Sequence, residues 1–367
     1  MKARCNREGL LSACQLASAA VATKDVKPIL RNLKAIVDMD RCTLMATDLE
    51  LGIRMEIRGL TVEETGEAIL PAARLIAILR ESPDDELAIE ASETACIVRG
   101  QFNEFEMPSD DPANFPDIPT FDNAQHHEIA AGPLREMARR TVFATAKESA
   151  RYAMTGVLWE LEDQKARLVA TDGRRLAVAE GPAAAHGGHA TSGQTHVVPT
   201  KAMTLLERVL QDAEEAVRVS LRPNEALFQT DRALIYSRLV EGRFPNYREV
   251  FPKKQTTKIA LTVGPFLVGV RQAAIMIDEE TRRVVFTFAK DKLTMQARGA
   301  ETGRSRVEVP IAHDGKEIEI SFDPHYLIDM LRILDADMQL TLELVDGNSP
   351  ALFRAGSDYS YVVMPLT

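Results

Sequence analysis

The chain has 367 residues, 45% apolar and 27% charged, with a formal net charge of −10. It is too long for a single typical core, and its composition is that of a soluble globular protein rather than a disordered or fibrous one. The acidic balance argues against adhesion of the whole surface to nucleic acid or anionic membrane, and no apolar run has the length needed to span a bilayer.

The four cysteines, Cys5, Cys14, Cys42 and Cys96, all fall in the first third. They read as reduced thiols of a cytosolic protein rather than as a disulfide framework. Leu11-Ser12-Ala13-Cys14, behind Lys2 and Arg4, has the form of a bacterial lipoprotein cleavage box. Only Gly9-Leu10-Leu11 precedes it as an apolar segment, too short for a secretory core, so a cytoplasmic location is expected.

In chain order, the sequence repeats itself about every 125 residues. An early helix is predicted over 7–22 and a late one over 71–81, opening at Leu70-Pro71 with Leu75, Ile78 and Leu79 inward. The pair returns over 133–146, with Leu134, Met137, Ala138, Thr141 and Val142 on one side, and over 199–211, with Met203, Leu206, Val209 and Leu210 inward. It returns again over 263–276 and 324–334, where Leu327, Met330, Leu331 and Leu334 form the stripe. Pro71, Pro199 and Pro324 are each expected in a helix's first turn, where a missing N–H is harmless.

Between and after the helices, runs such as Arg167-Leu168-Val169-Ala170, Val284-Val285-Phe286-Thr287-Phe288 and Leu340-Thr341-Leu342-Glu343-Leu344 read as half-buried antiparallel strands. Turns repeat too: Met45-Ala46-Thr47-Asp48 returns as Val169-Ala170-Thr171-Asp172, and Phe115-Pro116-Asp117 as Phe244-Pro245-Asn246. A period this long is a small domain. The prediction is an α+β protein of three copies, 1–125, 126–252 and 253–367, with strand–helix–strands twice per copy.

The six helix segments hold ten Lys or Arg (Arg7, Arg74, Arg80, Arg135, Arg139, Arg140, Lys201, Arg208, Arg271, Arg332) against five acids, although the whole chain is acidic. Arg74 with Arg80, Arg135 with Arg139, and Lys201 with Arg208 can share a helix's outer face. Three similar domains pointing such faces one way would offer a cationic strip to a polyanion such as duplex DNA, which carries one charge per ~1.7 Å of axis. No aromatic ladder or zinc-finger spacing accompanies them, so the contact expected is indifferent to sequence.

No phosphate loop, dinucleotide fingerprint, nucleophile elbow or paired metal-ligand spacing is present, and neither an enzyme nor a cofactor is expected. Asp38-Met39-Asp40 and Asp335-Ala336-Asp337 are placed in turns, where acids are common. His186, His189 and His196 lie in a Gly/Ser/Ala-rich stretch read as a flexible loop, with no metal expected, and Trp159 is read as core.

The triplication, together with Ala170-Thr171-Asp172-Gly173-Arg174-Arg175-Leu176-Ala177-Val178, Gly242-Arg243-Phe244-Pro245-Asn246-Tyr247 and Tyr361-Val362-Val363-Met364-Pro365-Leu366, resembles the bacterial DNA sliding clamp family, the beta subunit of DNA polymerase III, over the whole chain. The resemblance implies three DNA-clamp domains per chain and a head-to-tail homodimeric ring. Such a ring encircles double-stranded DNA and tethers polymerases, including repair polymerases, and the clamp loader through short peptides. The alternative kept is a tandem-domain scaffold that binds proteins without encircling DNA.

The implied peptide cleft comprises Met154, Thr171, Gly173, Arg174, Arg175, Leu176, Pro245, Val250, Val362, Met364, Pro365 and Leu366. There Gly173 would let the turn approach closely, and the arginine pair could hold peptide carbonyls or acids. Lys24 and Tyr152 match loop positions that touch DNA in the family, joining the helix candidates Arg74, Arg80, Arg135, Arg139, Lys201 and Arg208. The ring joint would set Phe105 and Met107 against Ile275 and Met276, as exposed apolar pairs needing cover. The sequence departs from the family pattern at Glu249, at Arg174 where His is common, at Ala153 and Glu148, and in a tail ending at Leu366-Thr367.

Overall fold

The computed structural model describes residues 1–23, 27–122, 124–148, 152–191, 193–252, 256–277, 282–299 and 303–366. Its elements repeat. The first copy runs β1 (Lys2–Asn6), α1 (Arg7–Ala17), β2 (Leu33–Val37), β3 (Arg41–Thr47), β4 (Leu51–Arg58), β5 (Thr61–Glu64), β6 (Gly66–Leu70), α2 (Ala72–Glu81), β7 (Glu86–Ala91), β8 (Ala95–Arg99) and β9 (Glu104–Pro108). The second runs β10 (His126–Ala130), α3 (Ala131–Val142), β11 (Gly156–Glu162), β12 (Lys165–Thr171), β13 (Arg175–Pro182), β14 (Ala184–His186), β15 (His196–Pro199), α4 (Thr200–Val209), β16 (Ala216–Arg222), β17 (Glu225–Gln229) and β18 (Ala233–Arg238). The third runs β19 (Thr257–Thr262), α5 (Val263–Ala273), β20 (Val284–Ala289), β21 (Lys292–Gly299), β22 (Gly303–Pro310), β23 (Ile318–Phe322), α6 (Pro324–Arg332), β24 (Gln339–Leu344), β25 (Ala351–Ala355) and β26 (Tyr359–Val363).

The predicted order of strand, helix and strands, twice per copy, is therefore present, and the named strand pairings are antiparallel. Helix bounds are tighter than the periodicity suggests. Beyond α1 and α5 the chain tightens into 3-10 turns, Ser18–Ala20 and Ala274–Met276. At the end of α3 the Thr141 hydroxyl donates back to the carbonyls of Met137 (2.8 Å) and Ala138 (3.2 Å), a local competitor for helix continuation. Of the three prolines only Pro324 sits in a first helical turn, behind the Asp323 cap that accepts from His325 N–H at 2.9 Å. Pro71 is itself the residue before α2, and Pro199 closes β15.

By packing, the three repeats gather into two compact units: Met1–Pro133 with Ala183–Ala190 and Lys201–Leu239, and Leu134–Pro182 with Thr191–Thr200 and Val240–Thr367. The division falls inside the middle copy because its strands belong to two different sheets. In the first unit a nine-stranded sheet has the order β14-β10-β16-β17-β18-β4-β3-β2-β6, joined across copies where Ala233–Ser237 pair with Met55–Leu51. In the second an eight-stranded sheet has the order β15-β11-β12-β13-β26-β25-β24-β19, joined where Arg175–Ala179 pair with Val363–Tyr359. Each unit also has a smaller sheet, β5-β1-β7-β8-β9 in the first and β22-β21-β20-β23 in the second.

The repeated turns are alike atom for atom. Thr171 Oγ1 donates to Arg175 O and accepts from Gly173 N–H, while Asp172 Oδ1 accepts from Arg174 and Arg175 N–H. Thr47 and Asp48 make the same four bonds to Leu51, Leu49 and Glu50. The third turn residue is left-handed in both, Gly173 at φ +89° and Leu49 at φ +76°. A Cβ at Gly173 would meet nothing within 4 Å, so glycine serves the backbone conformation here, not the close approach expected.

The histidine stretch is not a loose loop. His186 closes β14, and His196 opens β15 and is buried. His189 is buried with its Nδ1 2.7 Å from His127 Nδ1 and its Nε2 accepting from Leu221 N–H at 3.2 Å. Trp159 is fully buried, as expected of core. The four cysteines are free and buried; burial pushes the Cys5 and Cys42 thiols up to about 12 and Cys96 to about 11, which keeps them as inert thiols. Gly173→Ala should cost about 1 kcal/mol in urea unfolding, because an L side chain enters the left-handed region with no clash to relieve.

Candidate functional site

In the second unit, the turn 171–175 and the start of β13 face the end of β26 across a cavity of about 1070 Å³. Strand pairing positions the walls: Leu176 lies opposite Val362, and Met364 N–H continues the ladder to Arg174 O at 2.9 Å. Behind the walls, Leu158, Val169, Leu176, Val178, Val197, Leu352 and Val362 pack as one core, with Phe244 and Phe251 against it. The floor is therefore rigid and apolar, while Met364 (40% exposed) and Val250 (37%) stand open at its edge.

Ten of the twelve residues named for the cleft line this cavity: Met154, Thr171, Gly173, Arg174, Arg175, Leu176, Pro245, Val250, Val362 and Met364. Pro365 and Leu366 do not, because Leu366 N–H bonds Ser321 O at 2.8 Å and draws the tail past the opening. Tyr152, named for DNA contact, also lines the cavity. Arg243, Phe244, Tyr247 and Glu249 complete it from the repeated Phe-Pro corner, and Val345, Ser349 and Pro350 from the loop before β25. The corner motif could have flagged the first group; nothing local marks the second.

The two arginines have different jobs. Arg175 is fully engaged: Nε bonds Asp172 Oδ2 (3.0 Å), Nη1 bonds Asp329 Oδ2 (2.7 Å), Nη2 bonds Phe143 O (2.8 Å), and the guanidinium stacks over Phe143 and Tyr326. Burial opposes its charge, but Tyr361, Asp329 and Asp172 hold its pKa above the ordinary arginine value. It pins the turn and is not spare for a ligand, contrary to the sequence expectation for the pair. Arg174 is exposed and has no side-chain ion pair among the described residues.

Below the corner, Glu160 collects Arg167 Nη1 (2.8 Å), Arg248 Nη2 (2.8 Å) and the Tyr247 hydroxyl (2.9 Å). Burial alone would raise the Glu160 carboxyl, yet Arg167, Tyr247 and Arg248 outweigh it and hold it below its ordinary value. Burial, with Glu160 adding to it, pushes the Tyr247 phenol up to about 12, so Tyr247 stays a donor at neutral pH.

The helix cations differ in freedom. Arg74, Arg80 and Arg208 are exposed and have no ion pair among the described residues. Arg139 is held by both oxygens of Glu136 (3.0 and 3.1 Å), Lys201 by Asp48 (2.6 Å), and Arg140 is buried between Glu136 and Asp358. Arg135 is exposed on α3. Lys24 lies outside the described residues.

Of the four residues named for a joint, Phe105 (40%) and Ile275 (70%) are exposed, and Met276 is half-buried. Met107 of β9 is only 4% exposed, on the inward face of the strand opposite the buried Cys96 of β8. The expectation of exposed apolar pairs is corrected accordingly. Missed by the sequence reading, Phe102 (90% exposed) stands just before β9. Both β9 and β22 are open sheet edges.

A thrice-repeated antiparallel α+β module with sheets continuous across repeats, and an apolar cleft between the corner and the last strand, defines a DNA-clamp class of protein. The family of DNA polymerase III beta subunits matches in all three of its parts: the N-terminal domain over residues 1–119, the central domain over 128–246 and the C-terminal domain over 248–367. The beta sliding clamp of Pseudomonas putida is 30% identical over 365 residues, covering 98% of each chain, and that of Escherichia coli strain K12 is 28% identical over 369 residues, covering 100% of each. The chain belongs to the DNA polymerase III beta subunit family, the beta sliding clamps.

Solved structures agree. The Pseudomonas aeruginosa clamp bound to griselimycin is 28% identical with a TM-score of 0.91, covering 100% of this chain and 99% of that one. The Bacillus subtilis clamp, at 24% identity and a TM-score of 0.91 over 100% and 99% of the two chains, shares the fold.

Because the folded Glu160 pKa is depressed, its stabilisation is complete above the ordinary value of 4.5 and is lost as pH falls through the folded one. Wild type should therefore lose more stability than Glu160→Gln between about pH 5 and pH 3 in urea unfolding. Parallel curves would remove this network from the acid response.

Proposed function

We propose that this chain is a non-catalytic, cytoplasmic member of its family of replication processivity factors. Two copies would join head to tail as a ring threaded by duplex DNA, and the clamp loader, replicative polymerase and repair polymerases would dock short peptides in the cleft. The observation that carries this reading is the match of all three repeats, in order, to the three domains of one replication family. The repeat boundaries proposed are 1–125, 126–252 and 253–367. Among the described residues no helix is long and apolar enough to cross a membrane.

The edge strands support the ring. An open edge is a template for another strand, and these two carry opposite charge. β9 presents Glu104 and Glu106 outward, while β22 presents Arg304 and Arg306, with Glu308 on the same face bonded to Arg306. On the other face Phe105 and Met107 of β9 would extend the apolar side of β22, Val307 and Val309, towards Ile275. Glu106 and Arg304 have no ion pair among the described residues, which leaves them for a partner copy. Arg74, Arg80 and Arg208 are the lining cations best able to meet phosphates; Arg139 and Lys201 would do so only by sharing their acids. A few free cations suit a ring, since topology holds the DNA and tight phosphate contacts would stop sliding.

The cleft supports peptide docking through its apolar floor and exposed Met364 and Val250, with Met adaptable to several ligands. Arg174 and Arg243 oppose Glu249 at the rim, so a peptide with one acidic residue beside its apolar anchor fits best.

Replacing Arg304 and Arg306 by Glu should yield monomers by light scattering and abolish retention on nicked circular DNA, since like charges face each other across the joint. Adding Glu104→Arg and Glu106→Arg to the same chain should restore both. Retention that survives linearisation of the DNA would refute encirclement. Met364→Asp should weaken binding of a clamp-loader peptide at least about tenfold by placing a charge on the apolar wall, with the dimer intact; unchanged affinity in a titration would remove the cleft from docking.

A further inference from the structure

Strand register in the first unit assembles three metal-ligand side chains that are far apart in sequence. On β10, His126 and Glu128 are two residues apart and so point to one face, and on the edge strand β14 His186 lies directly opposite His126. The two imidazole rings stack nearly parallel, 4.8 Å between centroids and 10° between planes. The Glu128 carboxylate reaches both, Oε1 at 3.7 Å from His126 Nε2 and Oε2 at 3.5 Å from His186 Nε2. All three donor atoms lie within 4.8 Å of one another.

Those distances exceed a charge-assisted hydrogen bond. They approach the spacing of ligands around a tetrahedral ion, about 3.4 Å for bonds of about 2.1 Å; because each Nε2 lone pair lies in its ring plane, the exposed His186 ring must turn out of the stack for both nitrogens to face one ion. His126 is held from behind: it is 7% exposed and the edge of the Phe121 ring packs on it. Glu128 and His186 are 41% and 46% exposed, so an ion has an entry path and water can supply a fourth ligand.

We propose that His126, Glu128 and His186 bind a divalent transition-metal ion of the zinc class. Two nitrogen donors and one carboxylate favour zinc over the hard, oxygen-seeking calcium and magnesium. The ion would clip β14, only three residues long, to the body of the sheet, closing a weak edge. The ordinary cause of frayed edge strands is few ladder bonds, and a coordinate bond between β10 and β14 replaces them. Arg218 lies opposite Glu128 on β16, with its guanidinium over Phe121. Its charge competes for the carboxylate and keeps the affinity modest.

The test is calorimetric titration of the full chain with zinc chloride after dialysis against chelator. One zinc per chain should bind. His186→Ala and Glu128→Gln should each weaken it at least about tenfold, and Arg218→Ala should tighten it. His325→Ala, beside the unrelated Asp323, should leave it unchanged. Zinc should raise the melting temperature of wild type but of neither ligand variant. A second reading needs no variant: cobalt chloride added to wild type should give the intense visible absorption of a tetrahedral site. Absence of saturable binding, binding indifferent to both substitutions, or a weak octahedral cobalt spectrum would overturn the assignment.

Discussion

Backbone pairing between consecutive repeats is the constraint on which the rest of the structure hangs. Neither β4 nor β13 ends its own repeat's sheet; each continues into the next repeat's last strand, β18 or β26. Buried N–H and C=O groups need partners, and at these joins the partners come from another copy. Two bonds extend the ladders past the strands in the same way, Arg238 N–H to Glu50 O at 2.8 Å and Met364 N–H to Arg174 O at 2.9 Å. Each join thereby sets a Thr-Asp turn beside a foreign strand end, and one of these two places is the cleft.

Equivalent geometry does not give equivalent sites, because side chains decide what the join leaves open. In the first unit the residue after the turn is Gly52, and Ile118 packs so closely that an added Cβ would meet it at 3.1 Å. Arg54 ties that segment down through Ile118 O at 2.8 Å, and Met45, Ile69, Phe115 and Ile118 form a closed cluster. Lys201 and Arg238 cap the turn acids Asp48 and Glu50. In the second unit the matching residue is Leu176, and the corner residue Tyr247 turns its hydroxyl to Glu160. The wall stays bare, and an open cavity results where its sibling is filled.

What could be read from the sequence follows the range of the forces involved. The Thr-Asp turns, the helix stripes and the repeat itself were legible because their bonds close within a few residues. The joins between repeats were not, since alternating strands such as β13 fit a neighbour from either copy. The role of Arg175 was hidden for the same reason: Asp329, its strongest partner by distance, is 154 residues away. Phe105 and Met107 share a strand face, yet only the register with Cys96 and Val98 reveals that Met107 is covered. The histidines were grouped by proximity in the chain, as 186, 189 and 196, whereas pairing sends His186 to His126 and His189 to His127.

The neutralised interior of the cleft wall also bears on what the surface can select. Arg175 lines the cavity but is balanced by Asp172 and Asp329 and flanked by two aromatic rings, so it adds little net charge beside the apolar floor. Charge discrimination then falls to the exposed rim, where Arg174, Arg243 and Glu249 are solvated and each contributes little on its own. For a docked peptide of the kind proposed, affinity would come from filling the apolar floor between Leu176 and Val362, and selection from the rim. Under the proposed docking role, a surface arranged this way would admit many peptides that share an anchor, which is what a tether serving several partners in turn requires.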